Sequence, residues 1–274
     1  MIDLVNSSMT WIFDLLQAPF RDMDPIWSLV LFSVLSGIVL LLIYGKVSNQ
    51  NAIRDTKRKI HAALLESILF RHDLRLSLGA QWRMLIYGAK YFLLAVPPIV
   101  ILAVPCLLIL AQLNLRYNAE PLQPGERALV KVTVANPSDL FHVTASAPGA
   151  ELTPPVRIAS KNEVVWELKA SDSSASTLSI RNQDKGTELE SPLFVGAQDV
   201  LRVASVHSQN WLMKVLYPDG EGLLEKAPWI QELQITYPER RYPLFGVHMH
   251  WLVVFLLISI LAGIFASKIF RVEI

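Results

Sequence analysis

Three uncharged apolar segments constrain this sequence more than any other feature. They cover residues 26–44, 91–113 and 251–267, and none contains an Asp, Glu, Lys or Arg. At 1.5 Å of rise per residue, about 20 helical residues cross a hydrocarbon core of about 30 Å. Only 18% of the chain is charged, against about 25% in an ordinary soluble domain. The sequence therefore predicts a membrane protein with three transmembrane helices.

The N-terminal segment, residues 1–25, does not have the composition of a cleavable signal peptide. It carries four Asp residues and one Arg, whereas a signal peptide begins with a positively charged stretch and ends at a small-residue cleavage site. Apolar residues alternate with polar ones over its first 20 positions. We expect an amphipathic segment in the outer interface, anchored by Trp11.

The distribution of charge predicts the orientation. Residues 45–90 contain nine basic and three acidic residues, a net charge of +6, whereas residues 1–25 and 114–247 each have a net charge of −3. Lys and Arg concentrate in short cytoplasmic loops. The expected arrangement in a bacterial inner membrane has the N-terminus outside, residues 118–245 in the periplasm, and the tail, residues 268–274, in the cytoplasm.

The basic segment, residues 45–90, has helical periodicity and lacks proline. A single straight helix of this length would extend about 60 Å from the membrane, yet the chain must return to begin the second span. This predicts a helical hairpin that turns near residues 71–73, with Asp73 capping the second helix. The alternative is a kinked amphipathic helix on the inner leaflet.

Four basic residues near the start of this segment form a cluster: Arg54, Lys57, Arg58 and Lys59. One interpretation is contact with anionic lipids on the cytoplasmic side, worth about 1 kcal/mol per basic residue. The other is contact with a protein partner, such as a ribosome or a nascent chain. Nucleic-acid binding is not favoured, because no stacking aromatic or groove-reading motif accompanies the charge.

Small residues and prolines distinguish the spans. Ser33 and Gly37 in the first span, like Ser259 and Gly263 in the third, are four positions apart, a spacing typical of close helix packing in membranes. The second span contains three prolines, which remove backbone donors and predict a kink or a local opening. These prolines are Pro97, Pro98 and Pro105.

Residues 118–245 alternate between apolar and polar positions and contain many turn residues. This pattern predicts an all-β domain of six to eight short strands, with an immunoglobulin-like sandwich as the expected fold. One short helix is expected at residues 209–217. The expected strands cover residues 127–135, 141–145, 156–159, 164–169, 177–181, 193–195, 200–206 and 230–237.

No arrangement of residues points to catalysis or to a cofactor. The single cysteine, Cys106, lies in the second span and excludes an intramolecular disulfide. His248 and His250 could place two imidazoles on one face near the outer membrane boundary, but two ligands are too few for a metal site. We expect them in the interfacial belt with Trp251, and we expect the protein not to be an enzyme.

The order of these segments resembles the YidC/Oxa insertase superfamily. The resemblance covers an outward N-terminus, a first span, a basic helical hairpin at residues 47–87 and further spans. It implies a hydrophilic groove open to the cytoplasm, often with a basic residue inside the bundle. The spans of this chain contain no such residue, and the large domain between the second and third spans is an addition. The segments 70–75 and 121–126 also resemble uncharacterised bacterial inner-membrane proteins.

Two functions follow as expectations. The first is a non-enzymatic scaffold subunit of an inner-membrane complex, which binds other subunits through its spans and its β-domain. The second is an insertase-like or chaperone-like membrane protein. A hydrophilic groove among the spans would favour the insertase, and an apolar flank occupied by another chain would favour the subunit.

Overall fold

The structure, a computed structural model, describes residues 2–21, 23–171, 176–196, 200, 202–218, 223–244 and 246–273. These residues form six α-helices. Within the described residues, α2, α4 and α6 are long and apolar enough to cross a membrane, and each contains one of the predicted spans. The helices are α1 (Ile2–Gln17), α2 (Pro25–Val47), α3 (Gln50–Leu69), α4 (Leu74–Tyr117), α5 (Trp211–Leu216) and α6 (Trp251–Phe270).

Antiparallel β-sheets follow α4, as the alternating sequence predicts. One sheet has the order β3-β5-β1-β9-β8, with β4 also paired to β5; a second has the order β2-β6-β7; and β10 pairs with β11. The strands are β1 (Arg127–Val134), β2 (Val143–Ser146), β3 (Ala150–Leu152), β4 (Val156–Ile158), β5 (Glu163–Ala170), β6 (Ser176–Asn182), β7 (Thr187–Leu193), β8 (Val206–Ser208), β9 (Ile230–Ile235), β10 (Arg241–Leu244) and β11 (Val247–His250).

The two larger sheets share one hydrophobic core. Alternate residues of β1 are buried, as expected for a strand with one face in the core. Trp166 of β5, Leu233 of β9 and Ile180 of β6 belong to the same buried cluster. Because no disulfide is present in the described residues, burial of this cluster is the main source of stability for the domain.

Several observed strands differ from the predicted ones, among them β3 (Ala150–Leu152), which was not predicted. The segment 187–193, for which no complete strand was predicted, forms β7 in the smaller sheet. The predicted strand at 200–206 is wrong for residues 200 and 202–205, which lie outside any strand; position 201 is outside the described residues. The hairpin β10–β11 was not predicted either, and its last residue, His250, directly precedes α6.

The chain divides into two compact units. The first comprises residues 1–29 and 108–254, and the second comprises residues 30–107 and 255–274. All the strands belong to the first unit, together with α1 and α5. Helix α3 belongs to the second unit, and α2, α4 and α6 contribute residues to both.

Candidate functional site

Helices α3 and α4 form a hairpin in the second unit, with a four-residue turn that ends at Asp73. The Asp73 carboxylate accepts hydrogen bonds from the backbone N–H groups of Arg75 (3.0 Å) and Leu76 (3.2 Å). It therefore caps α4 as the sequence predicts. Across the hairpin, Arg83 forms an ion pair with Glu66 at 2.6 Å.

The predicted basic cluster is partly neutralised by the C-terminal tail. Glu273 lies 3.1 Å from Arg54 Nε and 3.7 Å from Lys57 Nζ. The Glu273 backbone N–H also donates to Gln50 Oε1 at 2.7 Å. Both cations are partly exposed, so each pair is worth at most about 1 kcal/mol. Two of the four predicted contact residues thus already have an acidic partner within the chain.

The other two basic residues of the cluster, Arg58 and Lys59, are exposed to solvent. Lys59 lies 5.9 Å from the ring of Tyr87, and Lys57 lies 6.0 Å from the ring of Tyr91. These cation–π contacts link α3 to α4. Arg58 is exposed, so Arg58 and Lys59 are the residues of the cluster best placed to meet a lipid headgroup or another molecule.

Most large apolar side chains of the hairpin point outward. Its buried positions are mainly small, among them Thr56, Ala63 and Ala80, which lets two helices approach closely. An exposed apolar surface of this extent is typical of a protein or membrane contact. The exposed side chains are Leu64, Leu65, Ile68, Leu69, Phe70, Leu74, Leu76, Leu78, Trp82, Leu85 and Ile86.

Small residues bring α2 and α6 into backbone contact. A Cβ atom added at Gly37 would overlap the carbonyl oxygen of Ser259 and lie 3.1 Å from its Cα atom. A Cβ atom added at Gly263 would lie 3.8 Å from the Gly37 carbonyl oxygen. Ser33, one turn before Gly37, is fully buried. The four predicted packing residues thus lie on helices that pack closely, as small residues allow.

Helix α4 runs without interruption from Leu74 to Tyr117, through its three prolines. The missing N–H groups of Pro97, Pro98 and Pro105 leave the carbonyls four positions earlier without their usual intrahelical partners. Two of these carbonyls belong to Leu93 and Ile101, whose side chains are exposed. The prolines therefore create acceptors along an apolar helix rather than a break in it.

In the first unit, three helix ends meet the β10–β11 hairpin at a buried junction. The hydroxyl of Tyr117, the last residue of α4, donates to Ser28 Oγ of α2 at 2.8 Å. The hydroxyl of Tyr242 donates to the Tyr117 carbonyl at 3.2 Å, and the two rings meet edge to face at 6.3 Å. Burial raises the pKa of Tyr242, which keeps this hydroxyl a hydrogen-bond donor.

Asn118 extends the junction to the first residues of α6. Its side-chain oxygen accepts from Trp251 Nε1 at 3.1 Å and lies 3.2 Å from His250 Nε2. The Leu252 N–H donates to His250 Nδ1 at 3.2 Å, so Nε2 is the protonated nitrogen of this ring. Both nitrogens of His250 are therefore engaged, while His248 is exposed. No group of three potential ligands for a metal ion occurs among the described residues.

The sequence interpretation missed a buried ion-pair network between α1 and the end of α4. The Arg116 side chain has no exposed area. Its guanidinium donates to Asp14 Oδ1 and to Gln112 Oε1, both at 2.6 Å, and to the Thr10 carbonyl at 3.1 Å. Arg202 lies 3.6 Å from the other Asp14 oxygen. This network fixes α1 to the last turns of α4.

Two pairs of polar residues, each at helical spacing, could have indicated this contact. Thr10 and Asp14 are four positions apart on α1, and Gln112 and Arg116 are four positions apart on α4. Each pair therefore lies on one helix face. Their separation of about 100 residues along the chain gives no sequence signal that the two faces meet.

The β-domain carries a polar groove of about 630 Å³ on its outer surface. Trp211, which is 66% exposed, forms one wall, and Glu232 and Ser208 are opposed on neighbouring strands. An exposed tryptophan beside hydrogen-bonding groups is a common feature of protein interfaces. The lining residues are Thr133, Ser208, Gln209, Asn210, Trp211, Gln231 and Glu232.

A buried histidine lies on the opposite side of the same edge strand. His207 of β8 is opposed to Leu233 of β9, whose side chain is in the core. Its Nδ1 atom has no hydrogen-bond partner among the described residues. Burial lowers the pKa of this imidazole to about 4, so the ring is neutral at physiological pH.

Comparison with known proteins gives no relative from which a function could be transferred. Neither the protein-family models, nor the curated proteins, nor the solved structures contain a match to the chain. The functional argument therefore rests on the geometry of the chain itself.

Proposed function

We propose that this chain is a non-enzymatic scaffold subunit of a bacterial inner-membrane complex. Helices α2, α4 and α6 span the membrane, with the N-terminus and an immunoglobulin-like β-domain in the periplasm. The α3–α4 hairpin and the C-terminal tail lie in the cytoplasm, as the charge distribution favours. Other subunits bind the spans and the β-domain.

The observation that carries this proposal is the exposed face of α4. In the apolar stretch of α4 11% of residues are buried, against 17% in that of α6 and 39% in that of α2. The same stretch carries the carbonyls released by the prolines. In hydrocarbon each unsatisfied backbone group costs several kcal/mol. A partner helix that presents a hydroxyl or amide donor satisfies these groups, whereas lipid tails cannot.

The junction described above supports the scaffold role. Buried hydrogen bonds connect α2, α4 and α6 to the β-domain through Ser28, Tyr117, Asn118, Tyr242 and Trp251. These hydrogen bonds hold the adjoining ends of the three helices firmly against the β-domain, and such local order lowers the entropy cost of binding a partner there. The groove beside Trp211 is the part of the domain surface best suited to that contact.

Photo-crosslinking from two matched positions tests the α4 contact. A photoreactive residue replaces Val104 on α4 or, as the control, Leu261 on α6; these side chains are 63% and 66% exposed. We expect a discrete protein adduct from position 104 and lipid adducts from position 261. Lipid adducts alone from both positions would refute the contact of α4 with another subunit.

The proposed orientation has its own test. With Cys106 replaced by Ala, single cysteines at Gln81 and Lys169, both exposed positions, react with a membrane-impermeant maleimide. We expect labelling of Lys169→Cys from the periplasm and labelling of Gln81→Cys only after permeabilisation. Labelling of both from one side would refute the arrangement.

A specific observation favours the insertase-like alternative, since the hairpin combines exposed basic residues with exposed apolar ones. Replacement of Arg54, Lys57, Arg58 and Lys59 by Gln separates the two functions. A scaffold held by desolvated apolar contacts keeps its partners at low and at high salt, because such contacts are not screened. Salt-sensitive loss of ribosomes or nascent membrane proteins from the variant alone would favour the insertase.

A further inference from the structure

Helix α1 turns Asn6, Thr10 and Asp14, together with the buried Phe13, toward the protein and leaves four large apolar side chains on its other side exposed. On the inner face, Asn6 Nδ2 donates to the Lys214 carbonyl at 3.0 Å, and Thr10 and Asp14 contact Gln112 and Arg116. This is the reverse of the usual surface helix, which buries its apolar stripe in the protein and exposes its polar residues.

The outward face of α1 is a continuous apolar patch. Trp11, Ile12, Leu15 and Leu16 occupy successive turns of one side, and all four are exposed. Burial of each would contribute about 1.5–3 kcal/mol. The helix nevertheless leaves these groups uncovered in the first unit of the chain. A surface of this kind requires an apolar environment.

The position of α1 identifies that environment. Its inner face is fixed to Gln112 and Arg116, in the last turns of α4, where the uncharged stretch of that helix ends. Trp27, in the first turn of α2, is also exposed. Exposed tryptophans at helix ends are typical of the boundary between hydrocarbon and headgroups.

We propose that the outward face of α1 is a lipid-binding surface that lies in the outer-leaflet interface. The apolar side chains enter the acyl region by about 5–10 Å, the depth of interfacial amphipathic helices. The buried Arg116–Asp14 pair fixes this surface to α4. This inference rests on the proposed membrane insertion of α4, and it adds a fourth, non-spanning membrane contact.

Site-specific fluorescence in vesicles tests the proposal. With Cys106 replaced by Ala, an environment-sensitive fluorophore is attached at Leu15→Cys, at Leu212→Cys or at Leu261→Cys. Leu15 and Leu212 are matched, with 58% and 50% exposure, and Leu261 lies in the middle of α6. The full chain is reconstituted in phosphatidylcholine–phosphatidylglycerol vesicles with brominated lipids, or with iodide in the aqueous phase.

We expect the probe at position 15 to be quenched by bromines near the headgroup more strongly than by bromines at the chain ends. The probe at position 261 should show the opposite order, and the probe at 212 should respond to iodide only. Quenching of position 15 by iodide but not by lipid would overturn the proposal. Protection of position 15 from both quenchers would also overturn it, because protein would then cover this face. Failure of lipid quenching at position 261 would instead refute the proposed span.

Discussion

The buried imidazole of His207 makes the stability of the β-domain depend on pH. The ring is almost fully buried in β8, and burial lowers its pKa from 6.5 to about 4. In the unfolded chain the same ring has its ordinary pKa of about 6.5. Below pH 6.5 the unfolded state therefore binds a proton that the folded state does not bind until the pH approaches 4.

The sign and size of the effect follow from this difference. A tenfold difference in proton affinity corresponds to about 1.4 kcal/mol, so the free energy of unfolding falls by about 3 kcal/mol as the pH falls from above 6.5 to below 4. About 2 kcal/mol of this loss is already present at pH 5. The stabilising contribution of the neutral ring is fully present above pH 6.5.

The perturbation that isolates this group is His207→Leu. Its opposed residue on β9 is Leu233, so an apolar side chain fits the surroundings and removes a buried, unsatisfied nitrogen. Urea unfolding of the full chain in detergent, followed by the fluorescence of the buried Trp166 and Trp229, reports on the β-domain. The exposed His248, replaced by Gln, is the control.

We expect wild type and His248→Gln to lose stability in parallel from pH 7.5 to pH 5. His207→Leu should be about 2 kcal/mol less sensitive over the same interval. Because carboxylates titrate in all three proteins, only the difference between the curves is informative. Equal pH dependence in wild type and His207→Leu would show that the imidazole is protonated in the folded domain, which would refute the reasoning.

Three further predictions concern helix packing and capping. Gly37→Ala should destabilise the α2–α6 pair by about 1–3 kcal/mol because the added methyl group overlaps the backbone of Ser259. Gly88→Ala is the control, since no atom lies within 4 Å of the added carbon. Equal melting temperatures of the two variants in detergent would contradict the close contact. Arg116→Met should cost about 1–3 kcal/mol, since Asp14 loses its closest partner but stays partly exposed and keeps Arg202 at 3.6 Å. The variant should also expose α1 to limited proteolysis, and unchanged protease resistance would show that the ion pair does not hold this helix. Asp73→Ala should cost about 1 kcal/mol through loss of the α4 cap. The loss should appear as faster amide exchange in the first turn of α4, and unaltered exchange there would contradict the capping role.

The features that were predictable from the sequence are those encoded by local periodicity. An uncharged stretch of about 20 residues predicts an apolar helix, whatever its neighbours are, and strict alternation along β1 predicts a strand with one buried face. The turn at Asp73 was predictable because the segment between the first two spans must return to the membrane, and Asp73 is a capping residue near its middle. Strand β7 was less evident. It places Ser191 in the core and has a proline at position 192, and both features weaken the alternating pattern.

The orientation of α1 was not predictable, because periodicity defines two faces of a helix but does not determine which one is covered. The apolar face suggested contact with a membrane, and the structure shows that the polar face is the one in contact with protein. That choice is made by Arg116, a charge near the end of an apolar helix whose burial is favourable only if a carboxylate accompanies it. Asp14 supplies the carboxylate from about 100 residues away, and its position on the inner face leaves the side of α1 with Trp11, Ile12, Leu15 and Leu16 exposed. The charge pair and the exposed apolar patch are therefore two consequences of the packing of α1 against α4. A substitution that removes the pair should also free α1 from α4, so that its apolar side is no longer held outward.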